Sequence, residues 1–229
     1  MTAPDARATR LRLVRHGEVA AAHHGTFYGD GEVPLSEQGL RESRALAERL
    51  AAGSPVRVYS SPLERALLLA QAVAQGAHAP LVIDRDLREL HRGSWTFRTR
   101  DQVEAAAPGA LLRYARDPEH GNAPDGERES ELIARVGAAL GRIAAADAGR
   151  EVVAVTHAHV IRAALRRALG WSGPESLQRI VPYLGVVELS LGPDGRAALL
   201  SAPPAVLTGL LPGVTPGGPA RPASGEPAR

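Results

Sequence analysis

Residues Leu11–Glu18 read Leu-Arg-Leu-Val-Arg-His-Gly-Glu, an apolar strand that runs into an arginine, a histidine and a glycine. Open α/β sheets bind their ligands where buried strands end. The arginine offers a rigid fork of donors that matches phosphate or carboxylate, and the glycine leaves room for a ligand. The stretch therefore predicts an anion-binding strand end at Arg15 and His16.

The composition of the chain restricts the classes of protein to which it can belong. The chain has 229 residues, enough for one domain with a substantial core, and a formal net charge of only +2. Basic and acidic residues alternate, so nothing indicates a nucleic-acid partner. Cysteine is absent, which excludes disulfides and thiolate chemistry. Neither a signal-peptide pattern nor an apolar run of about 20 residues indicates a membrane, so we expect a cytoplasmic protein.

Strand-like and helix-like segments alternate along the chain. This alternation predicts an α/β fold, a three-layer αβα sandwich around a largely parallel sheet. We expect a catalytic domain over residues 10–202, a disordered N-terminus over 1–9, and a Pro/Gly-rich tail over 203–229 that is disordered or held only near Val206 and Leu207. Strands are predicted at 11–14, 56–59, 81–83, 151–156, 186–191 and 197–201, and helices at 36–52, 62–75, 99–115 (one or two short helices), 129–146 and 160–169.

The ends of three predicted strands carry groups that bind phosphate. The first strand leads to Arg15 and His16, the second to Arg65 in the first turn of a helix, and the fourth to His157. In a parallel sheet these ends lie on one edge, where helix N-termini add backbone N–H donors. Each residue alone is more simply explained as structural: His16 as a histidine at the rim, Arg65 as a solvated helix residue and His157 as a hydrogen-bond partner in a turn. These separate explanations do not account for three strand ends that carry similar groups. Together they predict an anion-binding pocket that phosphate fits best.

Six motifs occur in order along the chain. They are Arg15-His16-Gly17-Glu18, Pro34-Leu35-Ser36-Glu37-Gln38-Gly39, Ser60-Ser61-Pro62-Leu63-Glu64-Arg65-Ala66, Leu87-Arg88-Glu89 with Gly93 and Trp95, Pro124-Asp125-Gly126-Glu127 with Arg135, and Val155-Thr156-His157 with Val160-Ile161-Arg162. Together they resemble the histidine phosphatase superfamily, the phosphoglycerate-mutase-like proteins. The resemblance extends over about residues 11–191 and implies the phosphoglycerate-mutase-like fold.

The resemblance also implies roles for five residues. His16 would attack phosphorus and form a phosphohistidine, and Arg15, Arg65 and His157 would hold the phosphoryl oxygens. Glu89 would protonate the leaving oxygen and then help to activate water. We expect a histidine acid-type phosphatase, a hydrolase of phosphoric monoesters of small metabolites. No metal or cofactor is implied, since the arginines supply the countercharge.

Contacts to the rest of the substrate depend on less specific signals. Tyr28, Gly29, Arg92 and His159 are the candidates for substrate binding. The chain departs from the family pattern at five places. Val19 replaces the usual Thr, Ala22 an Asn, Leu69 a Thr and Arg128 a Ser, and His157-Ala158-His159 replaces His-Gly-Gly. The core of Arg15, His16, Arg65 and His157 is intact, so we expect the chemistry to be retained.

Several alternative functions stay open on the sequence alone. A phosphoglycerate-type mutase shares the core residues, but the span from Glu89 to Pro124 is modest, which favours a phosphatase. The stretch 25–35 resembles that of α-ribazole phosphatases. A non-catalytic phosphate-binding protein on the same fold is a further alternative, as is a metal-dependent hydrolase that uses His157 and His159 with His16, His23, His24 or Glu89.

Overall fold

In the computed structural model, residues 8–208 are described, and they contain a six-stranded sheet with the order β3-β2-β4-β1-β5-β6. The strands are β1 (Thr9–Arg15), β2 (Arg57–Ser60), β3 (Leu81–Ile83), β4 (Glu151–Thr156), β5 (Val186–Leu191) and β6 (Ala197–Ser201). Strands β1 to β4 run parallel to their neighbours among themselves, whereas β5 and β6 add an antiparallel edge. The predicted, largely parallel sheet is confirmed.

Helices connect most of the strands. They are α1 (Glu37–Ala52), α2 (Glu64–Ala77), α3 (Arg100–Ala106), α4 (Ala110–Arg116), α5 (Glu129–Ala146), α6 (Ala158–Leu169), α7 (Gly173–Leu177) and α8 (Pro204–Thr208). Ser36 caps α1 as the sequence predicts, with its hydroxyl accepting from the Gly39 N–H at 2.9 Å. The sequence did not predict α7 and α8, because five-residue helices are too short to show a 3.6-residue period.

The two faces of the sheet are covered by different helices. Successive strand residues point to opposite faces, so Leu13 belongs to the cluster under α5 and α6, whereas Val14 belongs to the cluster under α1 and α2. On β4, Ala154 likewise belongs to the cluster under α5 and α6, and Val155 belongs to the cluster under α1 and α2. This alternation makes the three αβα layers that the sequence predicts.

The strand register determines where the functional side chains meet. Arg15 lies opposite Thr156 on the neighbouring parallel strand, and Ser60 lies opposite Val155. The carboxyl ends of β1, β2 and β4 therefore lie side by side on one edge of the sheet. The segments that leave these ends carry His16, Arg65 and His157 into one region.

The termini differ from the predicted domain boundaries by short segments. Thr9, expected to be in the disordered N-terminus, is buried in β1, and its hydroxyl donates to the Asp147 carbonyl at 2.8 Å. The start of the predicted tail forms α8, in which Val206 is buried. Residues 1–7 and 209–229, where most of the predicted disorder falls, lie outside the described residues. No helix within residues 8–208 is long and apolar enough to cross a membrane.

The residues that come after β1 lie closely against the start of α1. The Glu18 carbonyl accepts from the Ser36 N–H at 2.9 Å, and a Cβ at Gly39 would overlap that carbonyl. We expect Gly39→Ala to lower the free energy of unfolding by about 1–3 kcal/mol, because the backbone beside His16 must shift. Urea denaturation measures the change.

A second glycine provides the matched control for this substitution. Gly141 lies within α5, and a Cβ there would meet nothing within 4 Å. Gly141→Ala should raise the free energy of unfolding by up to about 1 kcal/mol, since alanine favours the helix. Equal stability of the two variants would contradict the close-contact interpretation of Gly39.

Candidate active site

His16 is fixed by its backbone and its ring at the end of β1. Its N–H donates to the Thr156 carbonyl at 3.0 Å, and its Nδ1 lies 2.7 Å from the Gly17 carbonyl oxygen. Because a carbonyl oxygen only accepts, the proton of the neutral ring is on Nδ1. The Nε2 atom is therefore unprotonated and carries the lone pair that a nucleophile needs.

The surroundings of His16 keep its ring neutral. Burial, together with the neighbouring Arg15 and Arg65 guanidiniums, lowers the pKa of His16 from 6.5 to about 3. The side chain is 1 % exposed, so water does little to stabilise the imidazolium. At neutral pH the ring is thus in the form that can attack phosphorus.

Arg15 is positioned by a segment that precedes β5. Its guanidinium stacks on the Tyr183 ring, 3.9 Å from the ring centre, and its Nη1 donates to the Val181 carbonyl at 2.6 Å. Its buried Nε has no acceptor within residues 8–208. The Tyr183 ring also lies 5.7 Å from the His16 ring, so one aromatic side chain orients both residues.

Arg65 lies in the first turn of α2 and is fully buried. Its Nη1 donates to the Gly31 carbonyl at 2.7 Å and its Nη2 to the Gly29 carbonyl at 2.6 Å. Burial lowers its pKa, but a guanidinium remains charged at neutral pH. Among the described residues, no carboxylate lies within 4.0 Å of a side-chain nitrogen of Arg15 or Arg65, so their charge is available to an anion.

His157 begins α6 and faces His16, with the two ring centres 5.1 Å apart. Its Nε2 lies 2.7 Å from the Ser61 hydroxyl, whereas its buried Nδ1 has no partner among residues 8–208. Burial holds the pKa of His157 well below its usual range, so the ring is neutral. If the Ser61 hydroxyl donates to Nε2, Nδ1 carries a proton that a phosphoryl oxygen can accept.

Glu89 carries the only carboxylate among the described residues that line the cavity beside Arg15. Its Oε1 accepts from the Leu90 N–H at 2.9 Å and from the His159 N–H at 3.2 Å. Burial opposes ionisation, but the contacts with His159 and with the Leu90 N–H hold the pKa of Glu89 well below its usual range. The free site therefore contains Glu89 as a carboxylate.

Arg135 of α5 holds the backbone of the segment that carries Glu89. The Arg135 guanidinium donates to the carbonyls of Asp86 at 2.6 Å and Arg88 at 2.7 Å, and it pairs with Glu127. The motif that contains Glu127 and Arg135 thus fixes the backbone on which Glu89 is carried.

The candidate substrate-binding residues all line one cavity of about 210 Å³ beside Arg15 and Glu89. They are Tyr28, Gly29, Arg92 and His159. Gly29 has φ +47°, and a Cβ there would lie 2.7 Å from the Leu90 carbonyl oxygen and the Arg92 Cγ, so glycine is needed at that position. The structure thus brings the four residues together, and their contact with a substrate stays a prediction.

Three residues of the site were missed as site residues on the sequence. Ser61 contacts His157, Tyr183 contacts Arg15 and His16, and Arg162 lines the cavity. Arg162 and Ser61 lie within recognised motifs, whose spacing could have indicated them. Tyr183 lies in a segment without periodicity, so no local pattern indicates its contact.

The residues of the alternative metal site are not arranged as ligands. Within residues 8–208, no group of at least three His, Asp or Glu side chains is arranged to hold a metal ion. The His24 Nε2 contacts the Val19 carbonyl at 2.8 Å, and the His23 ring lies 6.3 Å from the Phe97 ring.

Comparisons with known proteins identify the family of the chain. A family model described as "Histidine phosphatase superfamily (branch 1)" matches residues 11–202. The chain belongs to the histidine phosphatase superfamily and has the phosphoglycerate-mutase-like fold.

Individual relatives are phosphatases by name. The chain is 35 % identical over 172 residues to a glucosyl-3-phosphoglycerate phosphatase of Mycolicibacterium vanbaalenii, a match that covers 72 % of this chain and 76 % of the relative. It is 37 % identical over 164 residues to a metal-independent phosphoserine phosphatase of Arabidopsis thaliana, covering 69 % and 68 %. Its structure is similar to that of a mycobacterial glucosyl-3-phosphoglycerate phosphatase, with a TM-score of 0.76, 28 % identity and coverage of 84 % and 97 %.

The buried neutral histidines make stability depend on pH. Burial, offset in part by Glu89, lowers the pKa of His159 to about 4 in the folded protein, so below pH 6.5 the unfolded chain binds a proton that the folded protein does not. We expect the stability present above pH 6.5 to be lost as the pH falls, with a slope of up to about 1.4 kcal/mol per pH unit for each such histidine.

The variant His159→Gln tests this assignment, because it removes one titrating group and keeps a polar side chain. Urea unfolding measured at several pH values between about pH 7 and pH 4 should give a slope reduced by about 1 kcal/mol per pH unit. An unchanged slope would show that His159 binds protons equally in the folded and unfolded protein and would contradict its lowered pKa.

Proposed function

We propose that the chain is a metal-independent phosphomonoester hydrolase that acts through a phosphohistidine at His16. The observation that carries the proposal is the neutral His16 ring with a free Nε2, beside the Arg15 and Arg65 guanidiniums that have no carboxylate partner in residues 8–208. The phosphatases among its relatives support an activity on a small phosphorylated substrate.

In the first step the His16 Nε2 attacks the phosphorus atom and the bond to the leaving oxygen breaks. Arg15, Arg65 and His157 hold the phosphoryl oxygens, so the charge that spreads over them in the transition state meets fixed donors. The dianionic substrate raises the pKa of Glu89 in the complex, because two negative groups then lie together. Glu89 takes up a proton and donates it to the leaving oxygen.

In the second step water replaces the histidine on phosphorus. The Glu89 carboxylate, ionised after it has given its proton away, takes a proton from the water as the water oxygen attacks. The bond from phosphorus to His16 Nε2 breaks, and inorganic phosphate leaves with the oxygen of water. As phosphate leaves, the pKa of Glu89 falls again and the carboxyl releases this proton to solvent, so the site returns to its starting state with no metal taking part.

The short segment between Glu89 and Pro124 favours hydrolysis over phosphoryl transfer between positions of a bound substrate. It forms a 3-10 helix, Gly93–Trp95, and the helices α3 and α4, of seven residues each. A segment this short favours a phosphatase over a mutase, in agreement with the modest span seen in the sequence. The intact His16 and Glu89 also favour catalysis over mere phosphate binding.

Rapid quenching tests the covalent intermediate. Protein mixed with a 32P-labelled aryl phosphate and quenched should carry phosphate that is stable in base, labile in acid and located on His16. His16→Ala should lose both the label and the turnover, because the nucleophile is gone. Excess chelator should leave both unchanged.

An exposed histidine provides the control for this experiment. His78 ends α2 in the left-handed region, which asparagine tolerates, so His78→Asn should keep label and turnover. Undiminished turnover in His16→Ala would overturn the mechanism, and loss of activity on chelation would overturn its metal independence. The pH profile of the same turnover tests the acid-type assignment.

Glu89→Gln tests the acid. We expect kcat to fall by about 10²–10⁴-fold for alkyl phosphates, whose leaving oxygen needs a proton. For aryl phosphates the fall should be smaller, because a phenolate leaves readily. Glu48→Gln on the exposed face of α1 is the control. An equal fall for both substrate classes would contradict the role of Glu89 as the acid.

A further inference from the structure

The cavity beside His16 contains more positive charge than one phosphoryl group uses. Arg92 and Arg162 line it together with Arg15. Within residues 8–208, neither Arg92 nor Arg162 has a carboxylate within 4.0 Å of its side-chain nitrogens, although other buried arginines such as Arg135 and Arg166 are paired.

Arg92 has a donor without an acceptor. The side chain is 5 % exposed, and its guanidinium lies 5.2 Å from the ring centres of both Phe27 and Tyr114. Its Nη2 donates to the His159 Nε2 at 2.9 Å, but its buried Nη1 has no acceptor among the described residues. A buried N–H group without an acceptor is unfavourable, so an acceptor from a ligand would improve this arrangement.

His159 joins the two guanidiniums without adding to their charge. Its Nε2 accepts from Arg92, and the Arg162 Nη1 lies 3.4 Å from the same atom. Because guanidinium groups only donate, Nε2 carries no proton and the ring is neutral. The Nε and Nη2 atoms of Arg162 donate to the Arg179 carbonyl at 2.9 and 2.7 Å, so its charge is solvated by a dipole but not neutralised by a carboxylate of residues 8–208. Burial lowers its pKa to about 10.

We propose that Arg92 and Arg162 bind a carboxylate of the substrate, so that the enzyme acts on phosphomonoesters of carboxylic acids. This inference rests on the proposed function. A singly charged carboxylate fits better than a second phosphoryl dianion, because the Glu89 carboxylate lines the same cavity and would repel the larger charge. Arginine also matches the planar carboxylate with parallel donors.

Matched substrates test the carboxylate directly. Phosphoserine and phosphoethanolamine differ only in the carboxylate, and 3-phosphoglycerate differs from glycerol 3-phosphate by a carboxylate in place of a hydroxymethyl group. We expect kcat/KM to be at least about tenfold higher for the carboxylate member of one or both pairs. No preference in either pair overturns the inference. If neither pair shows a carboxylate preference and fructose 1,6-bisphosphate is preferred over fructose 6-phosphate, the cavity binds a second phosphate and the inference is likewise overturned.

Variants connect the preference to Arg92. Arg92→Gln should bring the ratio of kcat/KM within the preferred pair close to one, mainly through KM for the carboxylate member, and Arg92→Lys should retain part of it. The exposed Arg98 provides the control, and Arg98→Gln should leave the ratio unchanged. An unchanged ratio in a folded Arg92→Gln protein overturns the assignment to Arg92.

An aryl phosphate without a carboxylate separates this inference from the proposed function. If p-nitrophenyl phosphate is hydrolysed through His16 but neither pair shows a carboxylate preference, the carboxylate site is wrong and the hydrolase mechanism stands. If p-nitrophenyl phosphate and both pairs fail with the folded wild-type protein, the proposed function itself is overturned. Circular dichroism confirms that each variant is folded.

Discussion

The buried guanidinium of Arg65 is hydrogen-bonded by backbone carbonyls and not by a carboxylate, and the positive charge of the site depends on these partners. Its Nη1 and Nη2 donate to Gly31 and Gly29, so the charge is solvated by dipoles but is not neutralised. A carboxylate partner would have neutralised this charge and weakened its attraction for phosphate. With carbonyl partners the charge stays available, and together with burial and Arg15 it lowers the pKa of the neighbouring His16.

The same contacts link the site to the rest of the fold. Arg65 is in the first turn of α2, so binding to Gly29 and Gly31 holds the segment around Tyr28 against the carboxyl end of the sheet. Gly29 in turn lies against the Leu90 carbonyl, next to Glu89. Movement of one segment would therefore disturb Arg65 and Glu89 together, the residues to which we assign phosphoryl binding and acid catalysis. The close contact with the Leu90 carbonyl leaves no room for a Cβ, so a glycine with φ +47° is needed at this point.

Periodicity and strand order made part of the fold and of the site predictable from the sequence. Parallel strands must share an edge, so the meeting of His16, Arg65 and His157 could be deduced from the strands that precede them. The contact of Tyr183 with Arg15 could not, because it depends on how the segment before β5 returns across the sheet. The short helices α7 and α8 were missed for a related reason, since their stability comes from packing, as at Val206, and not from a local pattern.

His159 shows why residue type alone leaves a role open. The sequence indicated a substrate contact or a metal ligand, whereas the structure shows its N–H on the Glu89 carboxylate and its Nε2 on the Arg92 guanidinium. One residue thus contacts both Glu89, which we propose as the acid, and Arg92, to which we assign the carboxylate site. The ring Nδ1 also lies 3.4 Å from the Glu89 Oε2, so a substrate carboxylate that draws Arg92 toward itself would act on Glu89 through this ring. Substrate selection in this site would then be expressed mainly in affinity, with a smaller effect on the chemical step.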